Sequence, residues 1–322
     1  MQAELPGHPV TTILLGPQRF TTTVQATLRS LDCDGPVAMV NAGWEEREAE
    51  DAELRAVLDD RGVNVSLYSR AVEALASDRD LRVAVIEHRT RHAELRAFYG
   101  IRLQAAWDTV VAVRRRASKD DIAEGARRSA MQALRDVDDW YAYEVARIVD
   151  TTATSQVVQS SEALARQRRE VAEIIAGAAV VAVAGGHVGI LMETLRLLDV
   201  AIPLQTPVIA WSAGAMAVCD PVVLFHDFAP QGVTAPEVHD RGLGRVRGVI
   251  PLPHARRRLA LEDRERMALF ANRFPAHHLV PLDDGTIVRF SVEGGQSHGS
   301  AVLDQGVRYV DSDGAVVTWG AA

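Results

Sequence analysis

The stretch Pro207-Val-Ile-Ala-Trp-Ser-Ala-Gly-Ala215 decides the fold that the sequence predicts. Four apolar residues from Val208 precede the serine and small residues follow it, which is typical of a strand that turns sharply into a helix. Ala210 and Gly214 stand two positions before and after Ser212, and small residues fit the strained backbone of such an elbow. The pattern predicts a nucleophilic Ser212 at the carboxyl end of a strand, although a serine that only caps the helix has the same local pattern.

Short apolar runs alternate with helix-compatible segments on both sides of this elbow. The predicted strands are residues 12–15, 37–40, 63–67, 178–184, 246–250 and 278–282, and the predicted helices are residues 20–31, 45–58, 188–198 and 256–273. After Gly285, short runs separated by turns predict an antiparallel end to the sheet. These turns are Gly294-Gly295, Asp304-Gln-Gly306 and Ser312-Asp-Gly314. The expected fold is α/β, a doubly wound and mostly parallel sheet.

Residues 81–177 differ from the rest of the chain, with dense charges, no proline and apolar residues at helical spacing. Three apolar stripes follow this spacing: Leu95, Tyr99, Leu103, Trp107 and Val111; Ile122, Met131, Leu134, Val137, Tyr141, Val145 and Ile148; Leu164, Val171, Ile174 and Ile175. They predict an all-α insertion, a lid or an oligomerisation element, within one domain formed by residues 1–80 and 178–322. Residues 81–86 fit a strand equally well.

The composition limits the classes of protein to which the chain can belong. The chain of 322 residues is 48% hydrophobic and can bury a full core, and its formal net charge of -8 disfavours a nucleic-acid partner. The two cysteines predict neither a disulfide framework nor a zinc knuckle. The start lacks a secretion signal, and the longest apolar run, near residues 176–184, is too short to span a bilayer. We therefore expect a soluble cytoplasmic protein without a membrane partner.

A second turn is expected at the same sheet edge as Ser212. Gly185-Gly186 follows the predicted strand that precedes the elbow, and the carboxyl ends of parallel strands meet at one edge. Backbone amides of Gly185, Gly186 and Ala213 would then hold an oxyanion. His187, directly after the turn, is expected to cap a helix or face the substrate.

Four motifs of this chain resemble a known family: Ala184-Gly-Gly-His187, Ile209-Ala-Trp-Ser-Ala-Gly-Ala215, Leu252-Pro-His254 and Leu282-Asp-Asp-Gly-Thr286. Together they resemble peptidase family S51, the serine peptidases that include aspartyl dipeptidase (peptidase E) and cyanophycinase. The resemblance implies a fold like that of class I glutamine amidotransferases and a triad of Ser212, His254 and Asp284. It covers residues 176–290 well and residues 10–70 only by topology.

The residues themselves support His254 as a general base. It follows two prolines that would stiffen a loop at the sheet edge, and a base needs a fixed position beside the nucleophile. Asp284, after the next predicted strand, could orient the imidazole. The acid remains open, because Asp283 is its neighbour and because Asp220 and Asp227 offer the chain order Ser, Asp, His.

Two other chemistries are disfavoured. A glutamine amidotransferase has cysteine at the elbow, whereas Cys219 lies seven residues beyond Ser212. His226-Asp227 and His239-Asp240 lack the spacing of common metal motifs, so no metal is expected.

The sequence thus predicts a serine hydrolase that cleaves a peptide or related amide bond and requires no cofactor. Arg241 and Arg245 are candidates for binding an acidic substrate group, and Arg247 and Arg256 also flank the site. The alternative is a non-catalytic binding or assembly protein on a peptidase E-like scaffold, with the helical insertion as its contact surface. Its candidate anchors are Trp107, Trp140, Tyr141 and Tyr143. A third possibility combines the two: the insertion forms a lid or a homodimer arm that restricts the site to small substrates.

Overall fold

The computed structural model describes residues 10–116, 118, 120–228, 234–292 and 306–320. The strands are β1 (Val10–Leu15), β2 (Val37–Val40), β3 (Gly62–Asn64), β4 (Val180–Val183), β5 (Val208–Trp211), β6 (Cys219–Asp220), β7 (Val222–Leu224), β8 (Glu237–Asp240), β9 (Val246–Arg247), β10 (Val249–Pro253), β11 (His278–Leu282), β12 (Ile287–Val292), β13 (Arg308–Val310) and β14 (Val316–Thr318). The helices are α1 (Val24–Arg29), α2 (Ala52–Val57), α3 (Leu67–Ser77), α4 (Arg79–Arg114), α5 (Asp121–Ala153), α6 (Gln156–Ser160), α7 (Glu162–Ala176), α8 (Val188–Leu197), α9 (Ala213–Val218), α10 (Ala255–Arg258) and α11 (Arg264–Arg273), with a 3-10 segment at Ala42–Arg47. The predicted Gly294-Gly295 turn and residues 304–305 lie outside the described residues.

The central sheet has the order β12-β1-β5-β4-β2-β3. Its strands are parallel except β12, which pairs antiparallel with β1. Along β5, Val208 and Ala210 pack into one hydrophobic cluster, while Ile209 and Trp211 pack into another. A sheet covered on both faces needs apolar residues at every position, which explains the continuous apolar runs. The predicted doubly wound, mostly parallel α/β fold is confirmed.

Two predicted helices are interrupted. Residues 45–58 form the end of the 3-10 segment and then α2, and Glu48 between them is buried. Its carboxylate accepts hydrogen bonds from the backbone N–H groups of Tyr68 (2.9 Å) and Ser69 (2.8 Å) at the start of α3. Residues 256–273 likewise divide into α10 and α11. Apolar spacing does not reveal such polar contacts across the chain.

A second sheet, of order β10-β11-β13-β14, carries the segments that follow the elbow helix. Strands β10 and β11 are parallel, and Pro253 lies opposite Leu282 at their carboxyl ends. The next backbone N–H, that of His254, donates to the Leu282 carbonyl at 3.0 Å. This pairing brings His254 close to the turn at Asp283, although 28 residues separate Leu282 from His254 in the chain.

The predicted insertion is a long hairpin of α4 and α5, followed by α6 and α7. Residues 81–86 belong to α4, so the strand alternative is wrong. Leu95, Tyr99, Leu103 and Trp107 form the expected buried stripe, whereas Ile122 is 78% exposed because it lies in the first turn of α5, at the tip of the hairpin. Among the described helices, not even α4 and α5 combine the length and apolar character needed to cross a membrane.

The hairpin shares a hydrophobic core with the second sheet. Tyr99 and Leu134 of the hairpin belong to the same buried cluster as Ile250 of β10 and Leu279 of β11. Of the aromatic residues proposed as contact anchors, Trp107 and Tyr141 are buried, Trp140 is partly buried and Tyr143 is exposed. Trp107 and Tyr141 therefore pack within this core.

Candidate active site

Ser212 stands at a strained elbow between β5 and α9. Its backbone has φ 51° and ψ -123°, a conformation that a residue with a side chain rarely adopts. A Cβ added to Gly214 would collide with the carbonyl oxygen of Val183 on β4, so only glycine allows α9 to approach the sheet this closely. The elbow turns the Ser212 hydroxyl outward at the carboxyl edge of the sheet.

His254 meets Ser212 at this edge. The Ser212 Oγ lies 3.4 Å from His254 Nε2. His254 also has a left-handed backbone, with φ 57° and ψ 35°, and its position is fixed by the hydrogen bond to Leu282. The separation is long for a hydrogen bond, but catalytic contacts without substrate are often longer than those with substrate.

The electrostatic environment keeps His254 neutral. Burial lowers the pKa of His254 from its ordinary value of 6.5, and the positive charges of Arg258 and Arg257 lower it further. Asp284 and Asp283 oppose this shift. A neutral imidazole has a free lone pair, so His254 can accept the Ser212 proton at neutral pH.

The structure brings both residues of the Asp283-Asp284 turn to the region of His254. Asp284 is exposed and lines a cavity together with His254. Asp283 is partly buried; its Oδ1 accepts a hydrogen bond from the Arg256 backbone N–H at 3.0 Å, and its Oδ2 is buried without a hydrogen-bond partner among the described residues. Within those residues, no hydrogen bond joins the His254 ring to either carboxylate.

The two other acid candidates have different partners. Asp220 pairs with Arg241 at 3.3 Å. Asp227 is buried, forms an ion pair with Arg266 and accepts a hydrogen bond from the Ala260 N–H at 3.0 Å. Over the part of the chain that the structure describes, neither carboxylate is hydrogen-bonded to the active-site histidine.

The Gly185-Gly186 turn packs directly against the elbow. A Cβ on Gly185 would lie 2.7 Å from the Ser212 Cβ, and a Cβ on Gly186, whose φ is +129°, would collide with the Gly43 carbonyl. The Ala213 amide begins α9 on the other side of Ser212. Because the first amides of a helix have no partner within it, the Ala213 N–H is available to a developing negative charge.

His187 and Arg241 lie at different places: His187 directly follows the Gly185-Gly186 turn, whereas Arg241 lies beside Asp220, beyond the end of α9. His187 is exposed and caps α8, where its Nδ1 accepts a hydrogen bond from the Ile190 N–H at 3.1 Å. Arg241 is exposed and engaged by Asp220. His187 therefore borders the oxyanion turn, whereas Arg241 shares its charge with a carboxylate.

Arg245 is not at the active-site edge, which contradicts its predicted role in substrate binding. Its Nε donates to Thr12 Oγ1 at 2.9 Å, and its Nη atoms donate to the carbonyls of Pro203 and Leu204, both at 3.1 Å. The two carbonyls lie before β5, and Thr12 of β1 pairs with Val208 at its start, so Arg245 lies at the end of the strand opposite Ser212. Burial lowers the pKa of Arg245 to about 10. The side chain satisfies loop carbonyls and has a structural role.

Sequence analysis named Arg256 among the arginines around His254 but missed Arg257 and Arg308. They line a cavity of about 200 Å³ formed by Pro17, His254, Arg256, Arg257, Asp283, Asp284, Thr286 and Arg308. Arg257 also lies over the Phe20 ring, 5.0 Å from its centroid. Arg257 follows His254 by three positions in the chain and could have been found from that proximity. Arg308 reaches the cavity only through the second sheet, a placement that the sequence does not indicate.

Cys219, Asp227 and Asp240, which were considered for cysteine or metal chemistry, have structural roles. Cys219 is fully buried, and burial raises the pKa of its thiol far above the ordinary value, so it is a poor nucleophile. Asp227 and Asp240 are each neutralised by an arginine. Among the described residues, no group of three or more histidine, cysteine or acidic side chains is arranged to hold a metal ion.

Comparison with known proteins agrees with this arrangement. The model of peptidase family S51 matches residues 132–298, more than half of the chain. The matched range begins within α5 and includes the Gly185-Gly186 turn, the elbow, His254 and the Asp283-Asp284 turn. No curated protein matches the chain. With the parallel sheet and the elbow in place, the match confirms the predicted resemblance: the chain belongs to peptidase family S51, a family of serine peptidases.

Proposed function

We propose that this protein cleaves a peptide or related amide bond with Ser212 as nucleophile and His254 as general base. The observation that carries the proposal is the 3.4 Å separation of Ser212 Oγ and His254 Nε2. The two residues come from different sheets, and both have positive φ. Strained residues that meet at a sheet edge are typical of a functional site.

The reaction follows from this geometry. His254 removes the hydroxyl proton as Ser212 Oγ bonds to the substrate carbonyl carbon, and the carbonyl electron pair moves onto its oxygen. The amides of Gly185, Gly186 and Ala213 stabilise that charge. His254 then returns the proton to the leaving amine as the C–N bond breaks. A water molecule, deprotonated by His254, then bonds to the acyl carbon, and the Ser212 Oγ–C bond breaks as His254 returns the proton to Ser212 Oγ.

Asp284 is the proposed acid that orients His254. Its charge raises the pKa of the imidazole, as expected for a group that stabilises the imidazolium formed during the reaction. Asp283 is the alternative, because its buried Oδ2 has no hydrogen-bond partner among the described residues and can accept one.

The proposed substrate carries an acidic group beside the scissile bond. Arg256, Arg257 and Arg308 line the cavity that borders His254. Arg256 is partly neutralised, since its Nε lies 3.5 Å from Asp283 Oδ2. Arg257 and Arg308 are exposed. Guanidinium groups bind carboxylates with paired hydrogen bonds, so this cavity suits an aspartate or glutamate side chain.

A labelling experiment tests the nucleophile. A small fluorophosphonate should label the wild-type protein, and Ser212→Ala should remove the label. His254→Ala should slow labelling strongly, because the hydroxyl then lacks its base. Ser77→Ala, an exposed serine on α3, is the matched control and should label like the wild type. Absence of labelling in the wild type, or equal labelling of Ser212→Ala, would overturn the proposal.

A further inference from the structure

A cleft of about 340 Å³ lies between the helical hairpin and α8, separate from the cavity beside His254. Its apolar lining residues are Val85, Ala93, Val149, Ala153, Val158, Ile190 and Leu197. Four histidines also line it: His88, His92, His187 and His239. The volume lies within the range of sites that bind small molecules. The hairpin thus supplies one wall of a concave site that α8 completes.

The histidine end of this cleft adjoins the oxyanion turn. Helix α8 begins two residues after Gly186, and the turn itself contacts Ser212. A Cβ added to Gly189 would lie 3.0 Å from His187 Cε1 and 3.4 Å from His239 Nε2. The two imidazoles therefore meet at the first turn of α8. A substrate held at the oxyanion turn can extend from there into the cleft.

Three of the imidazoles, those of His88, His92 and His239, offer uncharged, flat surfaces. The His92 ring lies 6.3 Å from the His88 ring, nearly parallel to it, and 6.4 Å from the His239 ring, at an angle of 78°. Burial lowers the pKa of His88 and His92, and lowers that of His239 to about 4. These rings are therefore neutral at neutral pH and can pack against an aromatic group.

Three of the four arginines that line the cleft are paired with carboxylates. Arg89 Nε lies 3.0 Å from Glu193 Oε1, Arg196 Nη2 lies 2.6 Å from Asp240 Oδ1, and Arg96 Nη2 lies 3.2 Å from Glu237 Oε2. The fourth, Arg168, donates its Nε to the Leu197 carbonyl at 2.9 Å. In the cavity beside His254, Arg257 and Arg308 have no carboxylate partner among the described residues. The apolar lining and the paired charges of the cleft therefore favour an uncharged substrate group.

We propose that this cleft is a second substrate subsite, which binds an uncharged aromatic or branched apolar side chain. Ser212 contacts an element beside each site, His254 at the cavity and the Gly185-Gly186 turn at the cleft, so we place this side chain and the acidic group on opposite sides of the scissile bond. The inference rests on the proposed function, because both subsites are defined relative to Ser212 as the nucleophile. The preferred substrate is a short peptide that joins an acidic residue to an aromatic or branched apolar one.

Steady-state kinetics with dipeptides test the subsite. The kcat/KM for Asp-Phe and Asp-Leu should exceed that for Asp-Gly by about tenfold or more, because a filled apolar pocket discriminates to that degree. Ala93→Phe fills the mouth of the cleft from an exposed position on α4 and should remove the preference. Ala97→Phe, an exposed position one turn further along that does not line the cleft, is the control and should retain it. Equal kcat/KM for the three peptides would overturn the subsite and leave the proposed function intact.

A binding measurement separates the subsite from catalysis. Isothermal titration of the Ser212→Ala protein with N-acetylphenylalaninamide should show binding, and N-acetylglycinamide should show none. Adding Ala93→Phe should abolish binding, whereas adding Ala97→Phe should not. Absence of phenylalanine-amide binding would overturn the inference even if Ser212 is reactive. Absence of fluorophosphonate labelling together with normal binding would instead overturn the proposed function.

Discussion

Arg273 of α11 and Asp138 of α5 form a buried ion pair that fastens the helical hairpin to the α/β body. Arg273 Nε lies 2.6 Å from Asp138 Oδ2, and Tyr99 Oη of α4 donates to Asp138 Oδ1 at 2.8 Å. Arg273 is only 2% exposed. Both helices of the hairpin thus share one polar network with the body. This buried network favours a helical hairpin that is fixed to the body, rather than a lid that opens on a hinge.

Removing one partner of this pair should destabilise the whole protein. Asp138→Ala leaves the Arg273 charge buried and unpaired, so we expect the free energy of unfolding to fall by about 3–5 kcal/mol. Asp139→Ala, at the exposed neighbouring position, should change it by less than about 0.5 kcal/mol. Urea denaturation measures both values. Equal stability of the two variants would show that the pair does not fasten the hairpin.

The acid limb of the pH profile should lie below the ordinary histidine range. A general base acts only when neutral, and it is neutral above its pKa. Because burial and two arginines lower the pKa of His254, activity should persist below pH 6.5 and be lost only as the pH falls through the lowered value. The dependence of kcat/KM on pH measures this limb. A midpoint at or above 6.5 would contradict the assignment.

Removing a positive charge near His254 should shift the acid limb of the pH profile. Arg258 is the larger of the two positive influences on the pKa of His254, so Arg258→Gln should shift the midpoint towards higher pH. Arg264→Gln, an exposed arginine at the start of α11, should leave it in place. If both variants shift the midpoint equally, the effect comes from overall charge.

A side chain at position 185 should impair catalysis without unfolding the protein. In Gly185→Ala the added Cβ would lie 2.7 Å from the Ser212 Cβ, so the elbow and the oxyanion amides must separate. We expect kcat/KM to fall by about 100-fold, the effect of losing one oxyanion donor. Gly100→Ala in α4 meets open space and should raise the free energy of unfolding by about 0.5–1 kcal/mol with normal activity. Normal kcat/KM for Gly185→Ala would exclude this turn from the site.

Four single variants identify the acid. Asp284→Asn should lower kcat by roughly 100-fold or more, because the imidazolium loses its stabilising charge. Asp283→Asn should have the smaller effect, and Asp220→Asn should act like the wild type, since its partner is Arg241. Asp227→Asn should reduce stability through Arg266. The reverse order of Asp283→Asn and Asp284→Asn in kcat would assign the role to Asp283.

The central sheet and the elbow were predictable because their signals are local. The residues of β4 and β5 are buried at every position, so a continuous apolar run in the sequence correctly indicated a buried strand. The elbow requires small residues at fixed offsets from Ser212, and Gly214 has that role in the structure. Gly185 and Ser212 both follow the carboxyl ends of parallel strands, and this shared position predicted that they lie close together.

The remaining features depend on contacts between distant segments. Arg245 follows the elbow by 33 residues, but its long side chain reaches back to the other end of β5. Arg308 enters the cavity of His254 only because β13 pairs with β11. The histidines of the cleft come from α4, α8 and β8. No local pattern of residues encodes these pairings.

The positive φ values at positions 212 and 254 lower the stability of the folded protein, while the side chains at these positions serve the proposed reaction. A left-handed or more strained conformation costs roughly 1–3 kcal/mol for a residue with a side chain, and glycine avoids most of that cost. A library of variants selected only for heat resistance should therefore enrich glycine at both positions. Each such substitution removes a group that the proposed reaction requires, so we expect the most heat-resistant members of that library to be inactive.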